Sequence, residues 1–247
     1  NIEHWRSLAN KLVVFDDESL AYGLADLCVN PLYPPKNQNA NAHDSRVLIG
    51  PQYHFPRNEI MDSRKRNYGH RIDKIAILQG GSDPNCCSMR IAETVQKALA
   101  TTHESLKIFI ISGPLNRCLY NEKLQRLAQG SQISLVRSPQ NLAQILISCD
   151  IVVSAVGITA LDLLHLRVPS VFITSISKES VTGNLLEALQ ITKFFGLVSS
   201  RTLGDLEQFL KNLDITAFNE NYVERCDLLF DDYGPDNLLD EVFSFCE

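Results

Sequence analysis

From Lys74 onward, short and almost wholly apolar segments alternate with stretches of helical spacing, and this limits the fold more than any other feature. K-I-A-I-L (74–78), L-K-I-F-I-I (106–111), I-S-L-V (133–136), D-I-V-V-S (150–154) and S-V-F-I-T (170–174) read as strands buried on both faces. Each run is followed by Gly, Ser or Pro. Between the runs, Cys87–Leu99 places Ile91, Val95, Ala98 and Leu99 on one helical face. Further helices are expected over 121–128, 142–148, after Gly157, near 182–190 and over 203–213, with a short strand at Leu197-Val198. Buried strands joined by helices of about ten residues are βαβ units. The pattern predicts an α/β fold, a doubly wound and mostly parallel Rossmann-like sheet of five or six strands.

The first 70 residues are less regular. K-L-V-V-F (11–15), L-A-D-L-C-V-N (24–30) and R-V-L-I-G-P-Q-Y (46–53) read as strands, separated by a polar Pro- and Asn-rich loop over 31–45. M-D-S-R-K-R-N-Y-G-H-R (61–71) carries five basic residues and no apolar face, the composition of a linker. The expected division is a partial N-terminal α/β segment with linker over 1–70, and a complete nucleotide-binding domain over 71–247. The chain opens at Asn1 without an initiator Met, and its first segment reads as the back end of a domain.

Composition narrows the function. Of 247 residues, 45% are apolar and 21% charged, which places the chain among ordinary globular proteins. A net charge of −6 argues against nucleic acid and against an anionic membrane as partner. No apolar run approaches the roughly 18 residues of a membrane span. The seven cysteines form no C-x-x-C pair and are odd in number, so reduced thiols and a cytoplasmic location are expected. The six histidines lack metal-ligand spacing, and no D-x-D pair is present to hold a divalent ion. Neither G-x-G-x-x-G nor the P-loop occurs. No metal and no cofactor is therefore expected.

In open parallel sheets ligands bind at the carboxyl ends of the strands, where helix N-termini offer free N–H groups. Four such ends carry small or polar residues: Gly80, Gly81, Ser82 and Asp83; Ser112 and Gly113; Ser138 to Asn141 with Leu142; and Ser154 to Thr159. In S-A-V-G-I-T-A-L-D, Gly157 permits close backbone approach, Thr159 can cap the next helix, and Asp162 in its first turn can accept hydrogen bonds from a ribose diol. Singly, such residues are also what a tight strand-to-helix turn requires. Together they point to a phosphate or nucleotide site. For a catalytic base the candidates are His54, after Gly50-Pro51-Gln52-Tyr53, and the carboxylates Asp16 and Asp17 at the end of the first strand.

G-P-Q-Y (50–53), L-Q-G-G-S-D-P (78–84), the run 138–154, G-I-T-A-L-D-L-L (157–164), R-V-P-S-V (167–171) and D-D-Y-G-P-D (231–236) follow one another in a familiar order. The chain resembles the UDP-sugar hydrolases of bacterial pseudaminic-acid synthesis and the related spore-coat polysaccharide proteins. More distantly it resembles the peptidoglycan N-acetylglucosaminyltransferase and other two-domain GT-B enzymes. The resemblance implies that backbone amides near Gly81-Ser82 and Ile158-Thr159-Ala160 hold a diphosphate, that 138–142 borders the uracil, and that Asp162 takes the ribose hydroxyls. It implies hydrolysis of a UDP-linked amino-sugar; a nucleotide-sugar-binding protein without activity and a GT-B glycosyltransferase are the alternatives.

Departures from the family pattern are clear. Asp162 stands where the family has the longer Glu. Residues 1–70 contain no G-x-G-H-x-x-R loop, and K-E-S-V-T-G-N-L (178–185) replaces an Asn-Gln pair, with Asn184 alone nearby. These 247 residues are therefore expected to bind uridine nucleotides and to hydrolyse UDP-sugars slowly or not at all.

Overall fold

The computed structural model describes residues 2–15, 25–32, 46–65, 67–99, 105–116, 126, 132–230 and 235–246. In chain order the elements are α1 (Ile2–Leu8), β1 (Val13–Phe15), β2 (Leu27–Asn30), β3 (Arg46–Ile49), α2 (Asn58–Met61), β4 (Lys74–Leu78) and α3 (Cys87–Leu99). There follow β5 (Lys107–Ser112), β6 (Ile133–Arg137), α4 (Leu142–Ile147), β7 (Ile151–Ser154), α5 (Ile158–Leu166) and β8 (Ser170–Thr174). The last are α6 (Ser180–Ala188), β9 (Phe194–Leu197), α7 (Ser200–Lys211), α8 (Ile215–Phe230) and α9 (Pro235–Cys246). The chain divides into two compact units, Asn1–Pro56 with Asp227–Glu247, and Arg57–Cys226.

In the first unit β1, β2 and β3 pair in that order, all parallel. Leu27, Val29 and Leu48 of the sheet bury against Leu238 of α9, with Val13, Tyr53, Val242 and Phe245 around them. Asp26 holds the entry to β2: its carboxylate accepts from Arg6 at 2.6 Å and from the Leu12 N–H at 2.8 Å. The three expected strands are present. The helices α1 and α9 were not foreseen. The region 121–128 with its expected helix, apart from residue 126, and the D-D-Y-G-P-D motif up to Pro235 lie outside the described residues.

The second unit contains a six-stranded sheet in the order β6-β5-β4-β7-β8-β9, and every pair is parallel. The order reverses between β4 and β7, the arrangement of a doubly wound fold with its switch point there. Strand ends are in register: Leu78 pairs with Ile111 on one side and with Ser154 on the other. Ile75, Ile77, Ile108, Ile110, Val153 and Ile173 pack on Ile91 and Val95 of α3 and on Leu206 and Leu210 of α7. Ala76, Val152 and Phe172 on the opposite face are fully buried as well, which is why the strands are apolar on both sides.

The weaker signals shift. The strand expected at 197–198 occupies Phe194–Leu197, and the helix expected from 203 begins at Ser200. Its start is set by a capping box in which Ser199 Oγ accepts from the Thr202 N–H and Thr202 Oγ1 accepts from the Ser199 N–H.

The basic stretch read as a linker is instead built into the second unit. Lys65 is 6% exposed, and its ammonium donates to the carbonyls of Ile147 and Cys149 at 3.0 and 2.7 Å. The C-terminal carbonyls of α4 lack partners of their own, and a lysine there satisfies them. Cys28, Cys87, Cys149 and Cys226 are buried and not joined in a disulfide, as expected. Cys86 departs from the expectation of reduced thiols throughout: it is disulfide-bonded. It stands at φ 50° in the turn leading to α3. Among the described residues no helix is long and apolar enough to cross a membrane.

Candidate functional site

A cleft of about 420 Å³ opens at the carboxyl edge of the six-stranded sheet, over the switch point. Four strand ends line it. Leu78, Gly80 and Gly81 come from β4, and Ile111, Ser112, Gly113 and Pro114 from β5. Ser138, Pro139 and Leu142 follow β6, Ile158, Thr159 and Asp162 follow β7, and Arg57 comes from the segment before the sheet. Gly80, Gly81, Ser112, Gly113, Ser138, Leu142, Ile158, Thr159 and Asp162 were all named from the sequence.

The glycines differ in why they are glycine. Gly80 has φ +70°, a left-handed conformation that disfavours side chains. A Cβ on Gly113 would fall 2.5 Å from the Cα of Gly81, so the two turns approach backbone to backbone. Gly81 and Gly157 are unlike either. Neither has a positive φ, and a Cβ on either would meet no atom within 4 Å. Nothing inside the described fold requires a bare Cα at these two positions.

Gly157 is the N-cap of α5 and makes no side-chain cap bond. This corrects the expectation that Thr159 caps the helix: Thr159 already lies inside the first turn, where its hydroxyl is past the cap position. The start of α5 is thus left without a capping side chain and borders the cleft through Ile158 and Thr159. By contrast α4 is capped, because Asn141 Oδ1 accepts from the Gln144 N–H at 3.0 Å. Ser138 leads into that helix at φ 41°, unusual for a residue with a side chain, and its N–H donates to the Ser112 carbonyl at 2.8 Å.

Asp162 is not in the first turn of α5, as expected from its spacing after Gly157, but in the second, where it is 2% exposed and borders the cleft. Its carboxylate lies 3.8 Å from the Arg57 guanidinium, which also reaches Glu59 at 3.1 Å. Arg57 is the one cation and Asp162 the one carboxylate among the described lining residues. The sequence reading missed Arg57, together with Leu78, Ile111 and Pro114, while Pro139 falls within the 138–142 loop it named. No local motif marks an arginine that reaches the site from outside the βαβ units.

Several expected residues do not line the cleft. Asp83 is fully buried and caps α3: its carboxylate accepts from the Cys87 N–H at 2.8 Å and from the Ser88 hydroxyl at 2.5 Å. Ser82 is exposed beside it, Ala160 is buried under the first turn of α5, and Asn141 is spent on its cap. Asn184 is exposed on α6. His54 is buried in the first unit at the end of a 3-10 turn over Pro51–Tyr53. Asp16 and Asp17 lie outside the described residues.

No family model matches the chain. The uncharacterized protein MJ1062 of Methanocaldococcus jannaschii is 26% identical over 179 residues, covering 67% of this chain and 36% of its own length. Among solved structures, MurG of Acinetobacter baumannii is similar with TM-score 0.60 at 14% identity, over 97% of this chain and 68% of MurG. TarM is similar with TM-score 0.56 at 11% identity, over 90% and 44%. The spinosyn rhamnosyltransferase SpnG, in complex with thymidine diphosphate, is similar with TM-score 0.53 at 16% identity, over 88% and 56%. The chain thus spans about a third of the curated relative and about half of SpnG and TarM. At these identities the likeness is one of fold, and the fold is α/β, GT-B-like, with a Rossmann-like parallel sheet.

Proposed function

We propose that the second unit, Arg57–Cys226, is the nucleotide-sugar-binding domain of a glycosyl-transferring enzyme, with Arg57 contributed from just before its sheet. The observation that carries this reading is the pair Gly81 and Gly157. Both face open space at the switch point, and neither is required by backbone conformation or by a neighbour. A ligand that sits directly on the backbone accounts for both. The α5 N-terminus beside them presents a positive dipole end suited to a diphosphate.

In this reading the amides around Gly81-Ser82 and Ile158-Thr159 hold the phosphates, with Gly80, Ser112 and Gly113 forming the floor. Arg57 supplies the counter-charge, Asp162 accepts from the ribose hydroxyls, and Ser138 to Leu142 border the base. Transfer of the sugar leaves negative charge on the departing diphosphate. Donors already aimed at that charge lower the barrier without reorganising. Magnesium is not needed for this role.

GT-B-like architecture supports transfer to an acceptor as the activity class. The motif order 50–53, 78–84, 138–154 and 157–164 supports a second reading, in which water is the acceptor and a UDP-linked amino-sugar is hydrolysed. The base for that step is unassigned; His54 and Asp17 are the candidates carried from the sequence.

Thermal shift against UDP, UMP, CMP, TDP, ADP and NAD tests the reading. UDP at about 100 times its dissociation constant should stabilise the fold by about 2.7 kcal/mol. A response confined to ADP or NAD, or none at all, overturns it. UDP release from UDP-sugars without an acceptor separates the two activities: it is expected to be slow or absent, and rapid release establishes hydrolysis.

A further inference from the structure

Arg57 reaches the cleft from a fixed root. Its carbonyl accepts from the N–H groups of Ile60 and Met61 at 2.8 and 3.0 Å, so its backbone forms the N-cap of the short helix α2. Ile60 is fully buried and α2 packs beside α5. Beyond α2, the Lys65 N–H donates to the Leu166 carbonyl at 2.8 Å, at the far end of α5. What remains free to swing is the Arg57 side chain, which is 62% exposed.

Two carboxylates share that side chain. Its Nη2 lies 3.1 Å from Glu59 Oε1 and 3.8 Å from Asp162 Oδ2. Asp162 borders the cleft, whereas Glu59, in the first turn of α2, stands outside the lining. One guanidinium against two carboxylates leaves this corner of the cleft net negative, the unfavourable sign for a diphosphate. A phosphate oxygen gains Arg57 only as Glu59 gives it up, and exchanging one solvent-exposed ion pair for another yields little. Glu59 thus competes with the ligand for the cation of the cleft. An acid in the first turn also suits the dipole of its own helix, but α2 is only four residues long, and its dipole is correspondingly small.

We propose that Glu59 is a positioning residue that restrains Arg57: it draws the guanidinium back from the phosphates, so that a diphosphate binds more weakly and leaves more readily than Arg57 alone would allow. Glu59 does not touch the ligand in this arrangement. The proposal rests on the nucleotide reading and adds a regulator to the same site.

Calorimetric titration of UDP and of uridine tests it, on wild type, Glu59→Gln, Arg57→Gln, the double variant and Asp62→Asn. Glu59→Gln keeps the shape of the side chain and removes its charge. It should tighten UDP about threefold at low salt, while uridine, which lacks the phosphates, binds as in wild type. The gain should fade as salt is raised to about 0.5 M. In the Arg57→Gln background, Glu59→Gln should leave UDP affinity unchanged, because no guanidinium remains to be released. Asp62→Asn removes the same charge from the exposed C-cap of α2 and should also leave UDP affinity unchanged. Unchanged or weaker UDP binding by a folded Glu59→Gln protein overturns the proposal. An equal gain in the Arg57→Gln background, or from Asp62→Asn, overturns it too, since Glu59 would then act as a general negative charge and not through Arg57. If wild type and Glu59→Gln bind neither UDP nor uridine, the nucleotide reading falls and this proposal with it. If wild type binds UDP and Glu59→Gln binds it no better, the proposal falls alone.

Discussion

Gly81 and Gly157 allow binding to be separated from folding at the level of single residues. At Gly157, φ −123° and ψ −159° are values that any residue adopts, and a Cβ there meets nothing within 4 Å. Gly157→Ala should therefore keep thermal stability within about 1 kcal/mol of wild type, because the gain from a less flexible unfolded chain is offset by the poorer N-cap that Ala makes. UDP affinity should fall at least about tenfold if the ligand lies on the backbone. Calorimetry on one protein preparation reads both, and a variant that keeps wild-type affinity removes the reason for a glycine at this position. Asp162 calls for a different substitution, because its carboxylate is buried and faces Arg57. The near-isosteric Asp162→Asn should weaken UDP by about 1.5–3 kcal/mol, the range for a hydrogen bond to a charged group. A 2′-deoxy analogue should bind both proteins equally, and an equal loss for both nucleotides would count against a ribose contact.

Two elements of the second unit carry predictions of their own. α6 lies so close to β9 that a Cβ on Gly183 would stand 2.7 Å from the Phe194 ring. Both residues are buried, so Gly183→Ala should cost about 1–3 kcal/mol by overpacking, read from urea denaturation. After α4, burial pushes the Cys149 thiol up to about 11 from an ordinary 9.0. Below pH 9 the thiol is neutral folded and unfolded, and its contribution to stability is fully present. Above it the unfolded chain loses the proton while the folded chain keeps it. Stability is then drawn down by about 1.4 kcal/mol per pH unit until the folded thiol ionises near 11. The neighbouring Lys65, whose ammonium burial holds below its ordinary value, acts with the opposite sign as pH rises. Comparing Cys149→Ala with wild type isolates the thiol: the gap in stability between them should shrink between pH 8 and pH 10.5. A constant gap would mean that the thiol titrates normally.

For the molecule as a whole, strand order decides where a ligand can sit. Because the order reverses between β4 and β7, the crossovers diverge there and leave the edge uncovered. Addition of UDP should slow amide exchange in the turns after β4, β5, β6 and β7, since those four ends line one cleft. Protection at the opposite edge, around Lys74 and Lys107, would place the site elsewhere. The activity served at this edge, with its sugar and acceptor, is a matter for the assays above.

Local spacing was enough to recover the strands 74–78 and 170–174 and the helix 87–99 to the residue, because strands buried on both faces must be apolar throughout and a half-buried helix must repeat every three to four residues. It also located most of the cleft, since Gly and Ser gather at the strand ends that line it. α8 escaped because its buried stripe of Ile215, Asn219, Tyr222 and Cys226 is half polar and does not read as a core face. What remained for the tertiary structure were meetings between residues far apart in the chain: Arg57 with Asp162, Lys65 with the end of α4, and Asn219 with the Gly69 carbonyl. Those depend on which strands become neighbours and on where each helix is set down. Packing of the whole sheet decides both, and no short stretch of sequence contains that information.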